Sequence, residues 1–378
     1  MQKTMPKVTW RKVMAWRVRR HHLDKRVPRK RALEVASREC CLHAQIMSSA
    51  ELSMWTRVGN LKADDVAHWL WSDRSLVKTW AMRGTLHLIP ADEYPTWQVA
   101  LNTLRHYRRD SWLRAFGVTH EEFDRLMVAI SEALDGEPLT RDQLATRVGE
   151  ITGSAVLGDR LRESWGALLK PASFQGKLCF APNEGRNVRF TRPDRWLKLA
   201  DDPLDLPEAQ ASITRRFLAA YGPATREDYA RWCGITPANA GKLIAALGEE
   251  VTEVDVEATP AWLLADDVDE LRSAKPVRSV RLLPAFDPYV IGSTRHVVNL
   301  MPGDHKALVH RAQGWVSPVM LVNGRMDGVW RLQRKGRRLL IEIEPFVKIP
   351  KWARQEAERE AELLAGFGGG GLELTWVT

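Results

Sequence analysis

One pattern recurs three times along this chain and limits what it can fold into. It reads Leu61-Lys62-Ala63-Asp64-Asp65-Val66-Ala67, then Leu139-Thr140-Arg141-Asp142-Gln143-Leu144-Ala145, then Ala224-Thr225-Arg226-Glu227-Asp228-Tyr229-Ala230. The copies lie about 80 residues apart, too far for a stacked solenoid repeat and about right for a small domain. Each copy reads as the start of the second helix of a helix-turn-helix. A basic chain that repeats such a unit three times points towards DNA.

The elements around each copy extend the reading. In the middle copy, Phe123, Leu126, Met127, Ile130 and Leu134 share one face of a helix over Glu121–Leu134. Gly136 to Pro138 break it, and Thr140 caps a second helix, Arg141–Val148, with Asp142 and Gln143 in its first turn. A third helix over Leu161–Leu169 turns Leu161, Trp165, Leu168 and Leu169 inward. Lys177–Phe180 and Asn187–Thr191 then form two strands around Asn183-Glu184-Gly185-Arg186. Three helices and a two-stranded wing make a winged helix.

The last copy repeats the order. A helix over Ile213–Tyr221 stops at Gly222-Pro223, Thr225 caps Arg226–Cys233, and Thr236-Pro237 open Ala238–Leu247 as N-cap and first helical residue. Val251–Val256 and Trp262–Leu264 form its wing. The first copy places helical segments at Arg31–Leu42, Glu51–Val58, Ala63–Trp71 and Leu76–Met82, then a strand at Thr85–Ile89, with an extra interruption near residue 43.

The tail differs. Val319–Val322, Asn323-Gly324 and Arg325–Trp330 give a strong hairpin signal, because Asn-Gly supplies the positive φ of a type I′ turn. Arg338–Ile343 is a further strand, Trp352–Leu364 a charged amphipathic helix, and Gly368–Gly371 a connector to a last strand, Leu372–Val377. The Asp- and Pro-rich stretch Asp201–Leu206 is the clearest linker. The expected fold is therefore α+β and mainly helical, with three tandem winged helices and an added C-terminal β-rich segment. Its parts are a basic helical arm at 1–30, winged helices at 31–115, 116–200 and 207–270, and the segment 271–378.

The net charge of +9 and a pI of about 9.5 favour a polyanionic partner. Met1–Arg31 alone carries twelve Lys or Arg against one acid, Asp24, so the arm can sit on phosphates. Its Arg-rich, acid-poor composition also fits a transit peptide. Trp10, Met14 and Arg17, with Trp16 and Arg20, recur at helical spacing and instead predict a helix packed on the body. No run reaches the roughly 18 apolar residues of a membrane span and no apolar signal core opens the chain. A cytoplasmic monomer without membrane contact is expected. Cys40, Cys41, Cys179 and Cys233 show no zinc spacing, so neither a metal nor a cofactor is implied. Cys40 and Cys41 read as small buried apolar residues.

The segment with most chemistry is Leu42-His43-Ala44-Gln45. Ser48-x-x-Glu51 reads as a capping box, which puts residues 43–45 in a loop just before a helix. On a helix His43 and Gln45 would face different ways, whereas in an extended loop they face the same side. The same pair also serves to hydrogen-bond a tight connection.

His43-Ala44-Gln45-Ile46-Met47-Ser48-Ser49-Ala50-Glu51-Leu52 resembles the catalytic stretch of the AlkZ/YcaQ-type DNA glycosylases. Arg83-Gly84-Thr85-Leu86-His87-Leu88, Ser164 to Pro171, Phe286-Asp287-Pro288-Tyr289 and Pro318 to Arg331 resemble further parts of that family, in order and over nearly the whole chain. The resemblance implies tandem winged helices in a C-shaped body with a DNA-binding concave face. It also implies excision of alkylated purines from duplex DNA, bulky adducts and crosslinks included. The family motif is Gln-x-Gln or Gln-x-Asp; here Gln45 matches the second position and His43 replaces the first Gln.

The substitution is chemically sensible. Alkylation at N7 makes guanine a cationic leaving group, and the remaining task is to place a water near C1′. A neutral histidine, with an ordinary pKa of about 6.5, accepts a water proton near neutral pH. Gln45 offers an acceptor and donors to orient that water.

Asp287 is the rival catalytic candidate, as a carboxylate beside a sugar cation; the same residue before Pro288 also suits an Asx turn. Arg83, His87, Lys170 and Tyr289 are candidate DNA contacts, and the Asn323-Gly324-Arg325 tip a candidate minor-groove probe, with Arg325 drawn by the negative potential. Trp55, Trp69, Trp71, Trp80, Trp97 and Trp112 read as core. Two functions compete: a monofunctional DNA glycosylase for repair or toxin resistance, or a winged-helix regulator that binds without catalysis. A nuclease ranks below both, since no acid cluster suits a catalytic metal.

Overall fold

The computed structural model describes residues 5–199 and 204–377. The expected linker residues 201–203 lie outside the described residues. Helices and strands are mixed along the chain, which folds into two compact units: Met1–Val66 with Thr214–Thr378, and Ala67–Ile213. The division at Val66/Ala67 falls inside the expected 31–115 segment. Among the described residues no helix is long and apolar enough to cross a membrane.

In the Ala67–Ile213 unit the middle repeat folds through its caps. Thr119 and Glu122 form a capping box at the start of helix His120–Ala133, and Thr140 and Gln143 form another at Arg141–Thr152. The latter helix stops at Gly153, whose φ of 64° a side chain would resist. Helix Ala155–Glu163 follows, capped by Ser154. Strands Cys179–Glu184 and Asn187–Thr191 pair antiparallel, and Leu139–Thr140 adds to the outer edge of the second.

Gly158 is where the last two of these helices meet: a Cβ there would stand 2.5 Å from the Ala145 carbonyl oxygen. Backbone has no rotamer with which to yield. Gly158→Ala is therefore expected to destabilise the protein by about 1–3 kcal/mol, the range for overpacking. A thermal unfolding midpoint that stays put would refute this close approach.

Two expectations in this unit need correction. Leu76–Met82 is not helical; Leu76–Trp80 is a strand paired antiparallel with Leu86–Pro90. Val77, Thr79 and Trp80 prefer an extended backbone, and both faces of the strand are largely buried. The expected helix Leu161–Leu169 ends at Glu163, and Trp165 leaves it in a left-handed conformation (φ 51°) with its side chain 90% exposed.

In the other unit, helix α1 (Trp10–Arg20) buries Val13, Trp16 and Val18. Helix α2 (Ala32–Arg38) and helix α3 (Met47–Arg57) follow. The third repeat keeps its predicted order: a Thr225/Asp228 capping box opens helix Arg226–Cys233, and Thr236 caps Pro237–Ala245. Strands Val251–Val256 and Thr259–Leu264 then pair antiparallel, and Lys7–Val8 joins the first in parallel.

The tail forms a five-stranded sheet in the order Val280–Leu283, Val319–Val322, Arg325–Lys335, Arg338–Pro345, Gly371–Trp376. Helix Lys351–Phe367 connects the last two strands, which run parallel. Asn323 (φ 53°) and Gly324 (φ 89°) make the expected tight turn. Trp10, Trp16, Val254, Leu263, Leu283, Tyr289, Val319 and Met326 share one core, so arm, third repeat and tail are built around the same apolar centre.

The basic arm is largely spent on the protein itself. Arg17 is buried and donates to the carbonyls of Tyr221, Gly222 and Pro223. Arg20 pairs with Asp267 and Glu270, Arg26 with Glu360, Arg29 with Asp65 and Arg31 with Glu34. All of these but Arg31 tie the chain's start to later segments.

Candidate active site

Residues 39–46 connect α2 to α3. Cys40 (φ 52°) and Cys41 (φ 78°) turn the chain sharply through the left-handed region, and both are buried. The backbone is extended at Leu42–His43 and bends at Gln45 and Ile46, the last with φ −118° and ψ 113°. Leu42 and Ala44 are fully buried, His43 is 7% exposed, and Gln45 is exposed. Helix α3 begins at Met47 with Ile46 as N-cap and no side-chain cap. Ser48 therefore lies inside the first turn, and the expected Ser48–Glu51 capping box does not open this helix. The positive end of α3 adjoins Gln45 and favours a nearby phosphate.

Behind the loop lies a fully buried charge network. The Arg57 guanidinium, at the end of α3, meets Glu39 at 2.8 Å and Asp287 through two bonds of 2.8 Å, with all three side chains at 0% exposure. Glu39 also meets His21 Nδ1 at 2.7 Å, while His21 Nε2 faces the Ala220 carbonyl at 3.0 Å. Both ring nitrogens thus face acceptors. Burial raises the Glu39 carboxyl, but Arg57 and His21 outweigh it and hold the group below the usual carboxylate range. Burial likewise opposes the charge on Arg57, and the two carboxylates more than restore it.

Asp287 is itself fully buried. It accepts from Ser53 Oγ at 3.1 Å and from the Tyr289 amide at 3.0 Å, and it caps the short helix Pro288–Gly292. The preceding Phe286 has a φ of 59°, and its ring stacks on His43 with centroids 4.9 Å apart. The His43 loop and the 286–289 turn thus meet in space, although more than 240 residues separate them in sequence. Among the described residues no group of His, Cys, Asp and Glu is placed to hold a metal.

Comparisons with known proteins identify the family. Residues 36–367 match the family described as DNA glycosylase AlkZ-like. The chain belongs to the AlkZ-like DNA glycosylase family. It is 37% identical, over 96% of its length and 97% of the relative's, to an interstrand DNA cross-link repair glycosylase from Streptomyces sahachiroi. The solved DNA glycosylase AlkZ of the same organism superposes with a TM-score of 0.87 at 35% identity, covering 98% of this chain and all of that one. The protein is thus a hydrolase acting as a DNA N-glycosylase.

The expected DNA contacts of this glycosylase are placed unequally. Tyr289 is 1% exposed and donates its hydroxyl to the Gly324 carbonyl at 2.8 Å, so it presents no surface to a duplex. The Asn323-Gly324 tip is braced internally: Asn323 exchanges hydrogen bonds with the Ser279 backbone, and a Cβ on Gly324 would stand 2.9 Å from Val18 of α1. Arg325 is exposed but paired with Asp327. His87 is buried, its Nδ1 facing the Thr85 carbonyl at 3.0 Å. Arg83 (φ 59°) and Gly84 form a turn against Lys170, whose ammonium is held below its usual pKa by burial.

Sequence reasoning missed a second hairpin. Arg331 to Arg338, the far ends of strands Arg325–Lys335 and Arg338–Pro345 with their turn, are all exposed, and Gly336 at the turn faces open space. Arg331 pairs with Glu342 and Glu344, whereas Lys335, Arg337 and Arg338 have no ion pair among the described residues. The run Arg334-Lys335-Gly336-Arg337-Arg338, with its central glycine, was the signal for it.

Proposed function

We propose that this glycosylase hydrolyses the N-glycosidic bond of N7-alkylated purines in duplex DNA. His43 and Gln45 hold the attacking water. Three winged helices, one around each sequence repeat, are the scaffold. The observation that carries the reading is the loop 43–45 before the positive end of α3, braced by a buried charge network in a chain of the AlkZ-like family.

The chemistry balances simply. The C1′–N9 bond breaks, its electron pair goes to N9, and the cationic alkylated base leaves neutral. Water oxygen bonds C1′ of the oxocarbenium-like sugar, and His43 accepts the released proton while Gln45 orients the water. The cross-link relative supports bulky adducts as substrates beside simple alkyl groups.

The test is a duplex carrying a single N7-methylguanine, incubated with the protein beside a control without it. Release of free N7-methylguanine well above the control is expected. A duplex that is bound but leaves no abasic site across several N7 adducts would favour a binding module.

The exposed 331–338 hairpin supplies the cations for a groove, in place of the braced 323–325 tip. Replacing Lys335, Arg337 and Arg338 together with alanine is expected to reduce the slope of log affinity against log salt by roughly 3, about 0.9 for each lost phosphate contact. Titrations at several salt concentrations read this directly, and an unchanged slope would place the duplex elsewhere.

A further inference from the structure

The stack on His43 continues outward. Phe286 packs on the imidazole at an interplanar angle of 20°, and Trp315 meets Phe286 edge-on with centroids 5.0 Å apart. Trp315 is 40% exposed, and Phe286 is half-buried. Three rings thus run from the buried candidate catalytic histidine to solvent.

The backbone under these rings is held in costly conformations. Phe286 is a bulky aromatic at φ 59°, and Gln313 (φ 58°) precedes Gly314 (φ 76°) in the turn that carries Trp315. Residues of this kind persist only where their surroundings over-determine them, and they gather at functional sites. Here the surroundings are identifiable. Asp287 is locked by Arg57, Ser53 and the Tyr289 amide, and the Phe286 amide donates to the Val316 carbonyl at 3.2 Å. That bond ties the Trp315 turn to the same anchor. An isolated bridge between His310 and Val316 and a bond from the Arg311 amide to the Trp315 carbonyl close the turn. Core packing alone requires neither a strained phenylalanine nor a tryptophan left two-fifths in water.

We infer that Phe286 and Trp315 form an aromatic wall that takes the planar face of the damaged nucleotide as its base is expelled beside His43. The inference rests on the glycosylase reading of the 43–45 loop. Flat π-faces stack on exposed aromatic side chains with little regard to sequence, which suits a site that must accept differently substituted bases. The planar face has two sources, the purine itself or an aromatic group attached at N7. Phe286 has a second task as a positioning residue, because its ring fixes the plane of His43.

Single-turnover excision from two duplexes separates the possibilities. One carries N7-methylguanine, and the other a guanine whose N7 substituent is a planar polycyclic ring. Trp315→Ala, a surface change, is expected to slow release at least tenfold: on both duplexes if the purine stacks, on the polycyclic adduct alone if its substituent does. Trp315→Phe should restore most of the rate, since it keeps a flat ring. Phe286→Leu should slow both substrates. A Trp315→Ala protein within twofold of wild type on both duplexes would overturn the wall while leaving the glycosylase reading intact. A Trp315→Phe protein as slow as Trp315→Ala would overturn it too. Failure of the wild-type protein to release either base would defeat both readings together.

Discussion

Replacing His43 or Gln45 with alanine is expected to slow release of an N7-alkylguanine by roughly 10²–10⁴-fold, the usual contribution of general-base assistance. Duplex affinity should stay near that of the unaltered protein, because neither side chain supplies charge to phosphates. The two residues act on one water, so their effects should not add. The double variant should fall about as far as the slower single one, as is common for groups that work as a unit. The loop itself should survive, since its fold depends on buried Leu42, Ala44, Cys40 and Cys41. Circular dichroism and single-turnover kinetics on the same preparations separate lost chemistry from lost structure. Additive losses would mean that His43 and Gln45 serve different steps.

Arg57→Leu is expected to destabilise the protein by about 3–5 kcal/mol, the cost of removing one partner from a buried ion pair. Leucine leaves Glu39 and Asp287 at 0% exposure with their shared cation gone. Lysine should rescue little, because one ammonium cannot reproduce a planar fork that reaches two carboxylates. The same network gives an acid limit. Glu39 is held below its ordinary range in the folded protein. Its stabilisation is therefore complete above the unfolded carboxylate pKa and is lost as pH falls through the lower folded value. Denaturant titrations of both proteins at neutral and acidic pH check this. Equal midpoints for Arg57→Leu and wild type would show that the network is not needed for stability.

What could be read from sequence was local. Thr140 with Gln143, Thr225 with Asp228 and the Asn323-Gly324 turn each act within four residues, and each forms where it was expected. The His43 loop was visible for the same reason, as an interruption between two helices. The Ser48–Glu51 capping box failed because α3 begins two residues earlier, at Met47, with Ile46 as its cap. Leu76–Trp80 misled because a short apolar run fits a helix or a strand, and its hairpin partner Leu86–Pro90 decides. Trp165 matched an inward helical face, but the helix had already ended.

Asp287 shows the deeper limit. Its catalytic and structural readings looked similar in sequence, and its buried partner Arg57 lies 230 positions away. The tail's Asn-Gly turn shows a related limit. The signal identifies a tight turn, but the packing of Gly324 against Val18 and Met14 of α1 is not legible in it. The basic hairpin further along the same strand is exposed along its whole length from Arg331 to Arg338.

The central claim is that the 43–45 loop performs the excision. The most direct measurement is the single-turnover rate of N7-methylguanine release by wild type and by the His43→Ala, Gln45→Ala double variant, at protein concentrations that saturate the duplex in both cases. The rate of the double variant should fall by at least about 10² with half-saturation unchanged. A double variant that binds and excises at the wild-type rate would contradict the assignment and return the chemistry to another part of the protein.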